Sequence, residues 1–229
     1  MELHVEPRRR LPERRDLILE SFVRHVADRG YDGTNLSDIA TELSISKGTI
    51  VHHFTSKDRM LAEAHEAYMH RRIAEARVIV TVLRTPSERL AGLVLAGLLY
   101  QHEDRSATIA FQREVTRFRD DEVMRTSQQL RAEYLAILVG VLEDGIADGS
   151  FRPVDTRVVA RAIMSVNQWA WTWYEPDAAR PPETVAAQFN DLFQGGLVND
   201  RTTLATPEAL SEHIAPVVRS VIASHPGPA

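Results

Sequence analysis

Apolar residues recur along this chain at helical spacing, and almost nowhere at the alternating spacing of strands. Leu17, Ile18, Phe22, Val23 and Val26 share one face of a first helix, and Gly30 supplies its stop. Leu36, Ile39, Ala40 and Leu43 mark a second, with Thr34 as its expected N-cap. After a break at Ser44 and Ile45, Ser46 is placed to cap a very short third helix ending near Phe54. Ser56 opens a long fourth one. Beyond Pro86 the pattern predicts helices over 86–102, 106–118, 120–148, 155–174 and 181–197, with "DGSF" and "EPDAARPP" as the clearest loops. No strand pair, internal repeat or low-complexity tract stands out, and "HPGPA" reads as a disordered tail. The expected fold class is all-α.

Residues 155–174 are the most informative part of the second half. Val158, Val159, Ala162, Ile163, Val166 and Ala170 form one apolar stripe that Trp173 extends, while Met164, Gln168 and Trp171 lie elsewhere on the circumference. A helix apolar on more than one side is buried on more than one side. One face then serves the subunit's own core, and the other a partner subunit or a ligand. Val185, Phe189, Leu192 and Phe193 repeat the pattern in the following segment.

Composition narrows the class without naming a function. The 229 residues suffice for one large domain or two small ones. No apolar run approaches the ~20 residues of a membrane helix, and the first residues lack the apolar core of a signal peptide. With no cysteine there is no disulfide framework and no thiolate metal site, so a cytoplasmic protein is expected. The net charge of −5 falls wholly on residues 61–229, because residues 1–60 carry equal numbers of basic and acidic side chains. A nucleic-acid-binding module needs only a local basic face, so DNA is not excluded.

Candidate chemistry centres on "SISKGTIVHHF", residues 44–54. Residues 34–54 have the grammar of a helix-turn-helix, with Ile50 and Phe54 facing inward and Lys47, Gly48, Thr49, Val51 and His52 around the rest of the short helix. Gly48, a poor helix former, fits where a helix must come close to a base edge or a backbone. His52 and His53 read either as ordinary surface or core histidines or as phosphate contacts. Adjacent helical side chains diverge by about 100°, which disfavours a shared metal. "HEAYMH" (65–70) resembles a zinc-protease motif, but its histidines are five apart rather than four and point different ways. There is no G-x-S-x-G, P-loop or G-x-G-x-x-G, and no metal site, catalytic residue or cofactor is expected. The basic arm "RRRLPERR" (8–15) is either a solvated leader or a minor-groove contact.

These residues carry a resemblance. Thr34, Ile39 and Ala40, then Ser46, Gly48 and Thr49, then His53-Phe54 and Ser56-Lys57-Asp58 resemble the N-terminal pattern of the TetR-type transcriptional regulators. The resemblance covers roughly the first 60–70 residues. It implies DNA contacts from Thr34, Ser46, Lys47, Gly48, Thr49, His53 and Lys57, with Val51 and His52 on the same face. Two departures bear on it: the usual Ala-Gly before the turn is Leu43-Ser44, and the usual tyrosine is Val51, which can meet a thymine methyl but donates no hydrogen bond.

The second half resembles the acyl-CoA-responsive catabolic regulators of that family, through "NQWAWTWYEPDA" with the segment after it, and through residues 113–155. In some of those relatives an arginine precedes the second tryptophan, where this chain has Thr172. The resemblance implies a homodimer pairing its last two main helices, and a thioester effector between the helices of the regulatory domain. Trp169 and Trp173 are the expected walls of an acyl tunnel, and Arg113, Arg117 and Arg119 the expected partners of CoA phosphates. The expected organisation is a DNA-binding domain at 12–72 with its recognition motif at 35–54, a ligand-binding and dimerisation domain at 73–200, and a C-terminal helix and tail at 201–229. The function implied is a repressor released from a palindromic operator by a small-molecule effector. Two alternatives stand beside it: a repressor of drug efflux sensing an aromatic or cationic compound, and a helical enzyme or adaptor with an incidental helix-turn-helix. Acidic groups in the effector cavity would favour the first; arginines at its mouth would favour acyl-CoA.

Overall fold

The computed structural model describes residues 14–114, 122–175, 180–200, 202 and 206–225. Among them the only β-pairing is an isolated bridge between Phe151 and Val198. Helix α1 (Arg14–Gly33), α2 (Leu36–Glu42) and α3 (Lys47–His53) form a small N-terminal unit around Ile18, Phe22, Val26, Ile39, Ile50 and Phe54. Helix α4 (Lys57–Val82) contributes Met60 and Leu61 to that unit. At ~1.5 Å per residue the whole helix is about 39 Å long, and its remainder belongs to the second unit.

The larger bundle comprises α5 (Pro86–Glu103), α6 (Arg105–Glu114), α7 (Arg125–Ala147), α8 (Thr156–Trp169) and α9 (Pro182–Gly195). Helix α5 is buried nearly all round, from Leu90 to Gln101, and serves as the bundle's central post. Thr85 and Glu88 close its N-terminus as a capping box. The C-terminal segment is not an appendage. Helix α10 (Pro207–Ala209) passes through a π-helical stretch into α11 (Ala215–Ser224), and Leu210, Ile214, Val218 and Ile222 join the bundle core.

Local capping explains most boundaries. Ser46 accepts a hydrogen bond from the Thr49 amide, and Ser56 accepts one from Arg59. Helix α2 is capped one residue later than the sequence suggests, by Asn35, whose side chain accepts from Ser37 N. Thr34 is instead buried, its hydroxyl donating to Gly30 O at 2.8 Å.

Between α2 and α3 the chain makes a Schellman turn. Ile45 N donates to Ala40 O at 2.9 Å, and Ser44 N to Thr41 O at 3.1 Å. The turn requires a left-handed residue, and Ser44 takes it at φ 54°, where the family pattern has glycine. Strain of about 1–2 kcal/mol follows from its Cβ. Replacing Ser44 with glycine is expected to stabilise the protein by roughly 1 kcal/mol, read as a higher denaturant midpoint. An unchanged or lower midpoint would show that the serine side chain contributes something the turn needs.

Candidate functional site

Helix α3 is anchored from one side and bare on the other. Ile50 and Phe54 are buried in the N-terminal core, whereas Lys47, Gly48, Val51 and His52 are exposed and Thr49 and His53 half-buried. The two imidazoles lie edge to face, 5.7 Å apart. Lys57 begins α4 with its Nζ 4.1 Å from the centre of the Tyr31 ring. Eight of the nine expected DNA contacts therefore lie on or beside this surface. Thr34 does not, because burial and the Gly30 carbonyl occupy its hydroxyl. Of the basic arm, residues 8–13 lie outside the described residues; Arg15 is held by Glu63 and stacks on Phe54 at 4.6 Å.

The N-terminal unit is fastened to the bundle at a helix break. Gly30 leaves helical geometry at φ 73°, ψ 169°, and α6 packs along α1 at this point. Ala27 O and Tyr31 N are an i, i+4 pair that an unbroken helix would join. Here Arg113 donates to Ala27 O at 2.9 Å, and the Glu114 carboxylate accepts from Tyr31 N at 2.9 Å. The last turn of α6 thus takes over both groups. Arg113, expected at a ligand phosphate, is engaged in this clamp.

A cleft opens between α4, α5, α6, α7 and α8. Tyr68, Phe111, Leu93, Leu138 and Ile163 make its apolar walls, with Tyr68 stacked on Phe111 at 4.6 Å. Its lining includes Arg72 and Arg131 and, among the described residues, no carboxylate. Arg72 lies flat on the Tyr100 ring at 3.6 Å and pairs with Glu75 at 3.2 Å and Asp104 at 3.3 Å, behind the lining. Asp104 also holds Arg71. Burial pushes the Glu75 and Asp104 carboxyls above the usual range, against the pull of these arginines. The Tyr134 phenol is likewise raised by burial.

Of the expected ligand residues, none of the described ones lines the cleft. Arg117 and Arg119 fall outside the described residues. Trp169 and Trp173 are 66% and 49% exposed on the outer surface and do not line the cleft. They share that surface with Val158, exposed, and Leu192, 69% exposed. Ring contacts continue the patch from Trp173 to Phe189 at 6.2 Å and on to Phe193 at 6.1 Å. Of the predicted stripe, Ile163 and Ala170 face the core while Val158 and Ala162 face out, so α8 serves two neighbours. The lining residues that the sequence reading missed carried one signal. Arg72 interrupts the buried stripe of α4 made by Tyr68, Met69, Ile73 and Ala76, and a charge at a core position marks a special site.

Comparison with known proteins supplies the remaining context. A family model described as "Tetracyclin repressor-like, C-terminal domain" matches residues 83–197, and one for "Bacterial regulatory proteins, tetR family" matches 18–64. The HTH-type transcriptional repressor KstR2 of Mycobacterium tuberculosis is 30% identical over 196 residues, 82% of this chain and 94% of that protein. Its solved structure, that of a ketosteroid transcriptional regulator, superposes with TM-score 0.74 at 28% identity, covering 83% of this chain and 98% of the other. AibR in complex with isovaleryl coenzyme A and operator DNA shares the fold at TM-score 0.69 and 24% identity, over 79% and 97% of the two chains. FadR from Bacillus subtilis in complex with stearoyl-CoA does so at TM-score 0.67 and 24% identity, over 79% and 97%.

His65 links the clamp to the cleft wall. It is buried beside Phe111 at 4.9 Å, and burial holds its imidazole down to about 4 despite a hydrogen bond to the Ala110 carbonyl. An unfolded histidine titrates near ~6.5. The unfolded state therefore takes up the proton first as pH falls, and stability is lost between about pH 6.5 and 4. Wild type is expected to lose about 2 kcal/mol more than His65→Leu between pH 7 and pH 5, measured by urea unfolding of both. Equal losses would mean that His65 is protonated within the fold.

Proposed function

Because the chain belongs to the TetR family of bacterial transcriptional regulators, we propose that it is a homodimeric repressor released from a palindromic operator by a CoA thioester bound in the α4–α8 cleft. The observation that carries the effector class is the lining itself: the half-exposed Arg131 guanidinium at the mouth, no carboxylate among the described lining residues, and apolar walls, Arg72 being already paired with Glu75 and Asp104 behind them. That chemistry suits an anionic amphiphile and opposes a cationic drug. Arg131 is half-exposed, in keeping with a partner for phosphates that stay partly in water. The CoA ligands of AibR and FadR, which share the fold, favour the same class.

On the DNA side, Lys47, Gly48, Thr49, Val51, His52 and His53 would enter the major groove, with Ser46 and Lys57 at the flanking phosphates. Ser46 is already occupied in capping α3, so its contribution is to hold the helix while neighbouring backbone amides meet phosphate. The exposed apolar face of Val158, Trp169, Trp173 and Leu192 suits pairing with the same face of a second copy. A twofold axis there gives two α3 helices facing one palindrome.

Release follows from the geometry of α6. Thr108, Phe111 and Gln112 line the cleft, and the next two residues form the clamp on α1. A ligand that favours a shifted α6 favours a shifted α1 and, through it, a shifted α3. It acts only through its differential affinity for the two arrangements.

The direct test is a gel shift on DNA upstream of the coding sequence, with Gly48→Ala as a control on the DNA surface. Wild type is expected to bind and to be released by acyl-CoA but not by free acid or CoA. The alanine Cβ meets Ser46 Oγ at an ordinary 3.5 Å, so the variant should be as stable as wild type or more so, given the ~1 kcal/mol helix preference. Its operator affinity should nevertheless fall about tenfold or more, a loss of at least ~1.4 kcal/mol. Undiminished binding would remove α3 from the DNA, and binding that no thioester affects would remove the effector.

A second test addresses assembly. Trp169→Glu combined with Leu192→Glu should give a folded monomer by sedimentation that no longer shifts the operator. A dimer of unchanged stability would place the interface on another face.

A further inference from the structure

The cleft has a rim and a floor of different chemistry. Gln112, Arg131, Met164 and Gln168 are half-exposed at the rim, on α6, α7 and α8. Arg72, Leu93, Tyr100 and Gln101 are buried at the floor, on α4 and α5. Arg72 is 3% exposed, and its Nε and Nη2 face Glu75 and Asp104. Its Nη1 has no hydrogen-bond partner, and its Nε meets Glu75 only as an ion pair at 3.2 Å. Nearby, the Gln101 amide oxygen also lacks a partner, as does that of Asn167, whose Nδ2 donates to Val94 O at 3.4 Å. Buried polar groups are nearly always satisfied, and a charged donor left bare is the most costly kind. The Tyr100 hydroxyl, also in the lining, makes no hydrogen bond of normal geometry either, and such a cluster around one apolar cleft marks the place of a polar group supplied from outside.

Charge decides what kind of group it is. Arg71 and Arg72 face Glu75 and Asp104, so the floor is already neutral. A ligand carboxylate would arrive as a third buried anion without a counter-ion of its own, an expensive addition. A carbonyl oxygen accepts from Nη1 and adds no charge, while the two side-chain amides can turn donor or acceptor toward its surroundings.

Resting on the reading of this cleft as the thioester site, we propose that the buried end of the effector's acyl group carries an uncharged keto oxygen that accepts the Arg72 Nη1 hydrogen bond. The cleft is then selective for oxidised acyl chains or rings over plain alkyl chains. The rim holds the CoA portion and the floor reads the acyl terminus.

Calorimetric titration of the full-length protein with matched thioesters tests this. The pairs are hexanoyl- against 5-oxohexanoyl-CoA and decanoyl- against 9-oxodecanoyl-CoA, with adipoyl-CoA as the charged comparison. For at least one length the oxo compound should bind about tenfold more tightly, the worth of one hydrogen bond to a charged group. Arg72→Lys keeps a cation for Glu75 and Asp104 but removes the second terminal nitrogen; whatever it does to affinity in general, it should shrink the oxo-over-alkyl ratio to about twofold or less. Should that variant not fold, Gln101→Leu in the same comparison, with its smaller expected loss, and the wild-type pairs themselves still decide. Equal binding within both pairs overturns the keto assignment alone, with water then satisfying Arg72. Tightest binding of adipoyl-CoA overturns its neutrality. Failure of all five thioesters to bind overturns the CoA reading and this inference with it.

Discussion

The exchange of hydrogen bonds at the Gly30 break is the constraint on which the rest of the molecule depends. An intact α1 would satisfy Ala27 O and Tyr31 N internally and leave α6 nothing to hold. Once Gly30 interrupts the helix, the two groups become a matched acceptor and donor, and Arg113 and Glu114 supply the opposite pair. Hydrogen bonds to charged groups in partly buried settings are each worth roughly 1.5–3 kcal/mol. The joint is therefore strong enough to transmit a displacement. It is also specific, because a one-residue slip of either helix would leave all four groups unpaired. The covalent route through α4 alone would let the two units hinge independently.

The floor of the cleft follows a different logic. A compact core would be more stable with apolar residues in place of Arg72, Glu75 and Asp104, since buried ion pairs seldom exceed the cost of desolvating their members. Their persistence at the meeting point of α4 and α5 is better explained by recognition than by stability. Arg72 is held by the stack on Tyr100 and by two carboxylates, so its remaining nitrogen is fixed in direction before any ligand arrives.

Much of the fold was legible because its signals are local. The Ser46 and Ser56 caps, the Gly30 stop and the inward pair Ile50 and Phe54 are each set by a few neighbouring residues. The one-position error at α2 arose because Thr34 and Asn35 are both good caps, and only the Gly30 carbonyl, freed by the break, decides between them. The candidate site was less legible. Periodicity marks α8 as apolar on two sides but does not say which neighbour covers which side, and the family resemblance, which makes Trp169 and Trp173 tunnel walls, does not fix their direction either. Arg113 has the chemistry of a phosphate ligand, and only the path of α1 brings a carbonyl to it first. The residues that do line the cleft come from five helices, and no local pattern joins Tyr68, Gln101, Arg131 and Asn167.

The outward tryptophans have a practical consequence of their own. All three tryptophans of the chain fall within residues 169–173, at and just beyond the C-terminal end of α8 and next to Asn167 and Gln168 of the cleft lining. Near-ultraviolet emission excited at the indole band therefore originates from a single five-residue stretch, with one indole half-buried and two open to solvent. The unlabelled protein carries its own optical gauge at the point where cleft and outer face meet. Spectral shifts toward the blue would report the covering of that face, and quenching of the same band a change beside the lining.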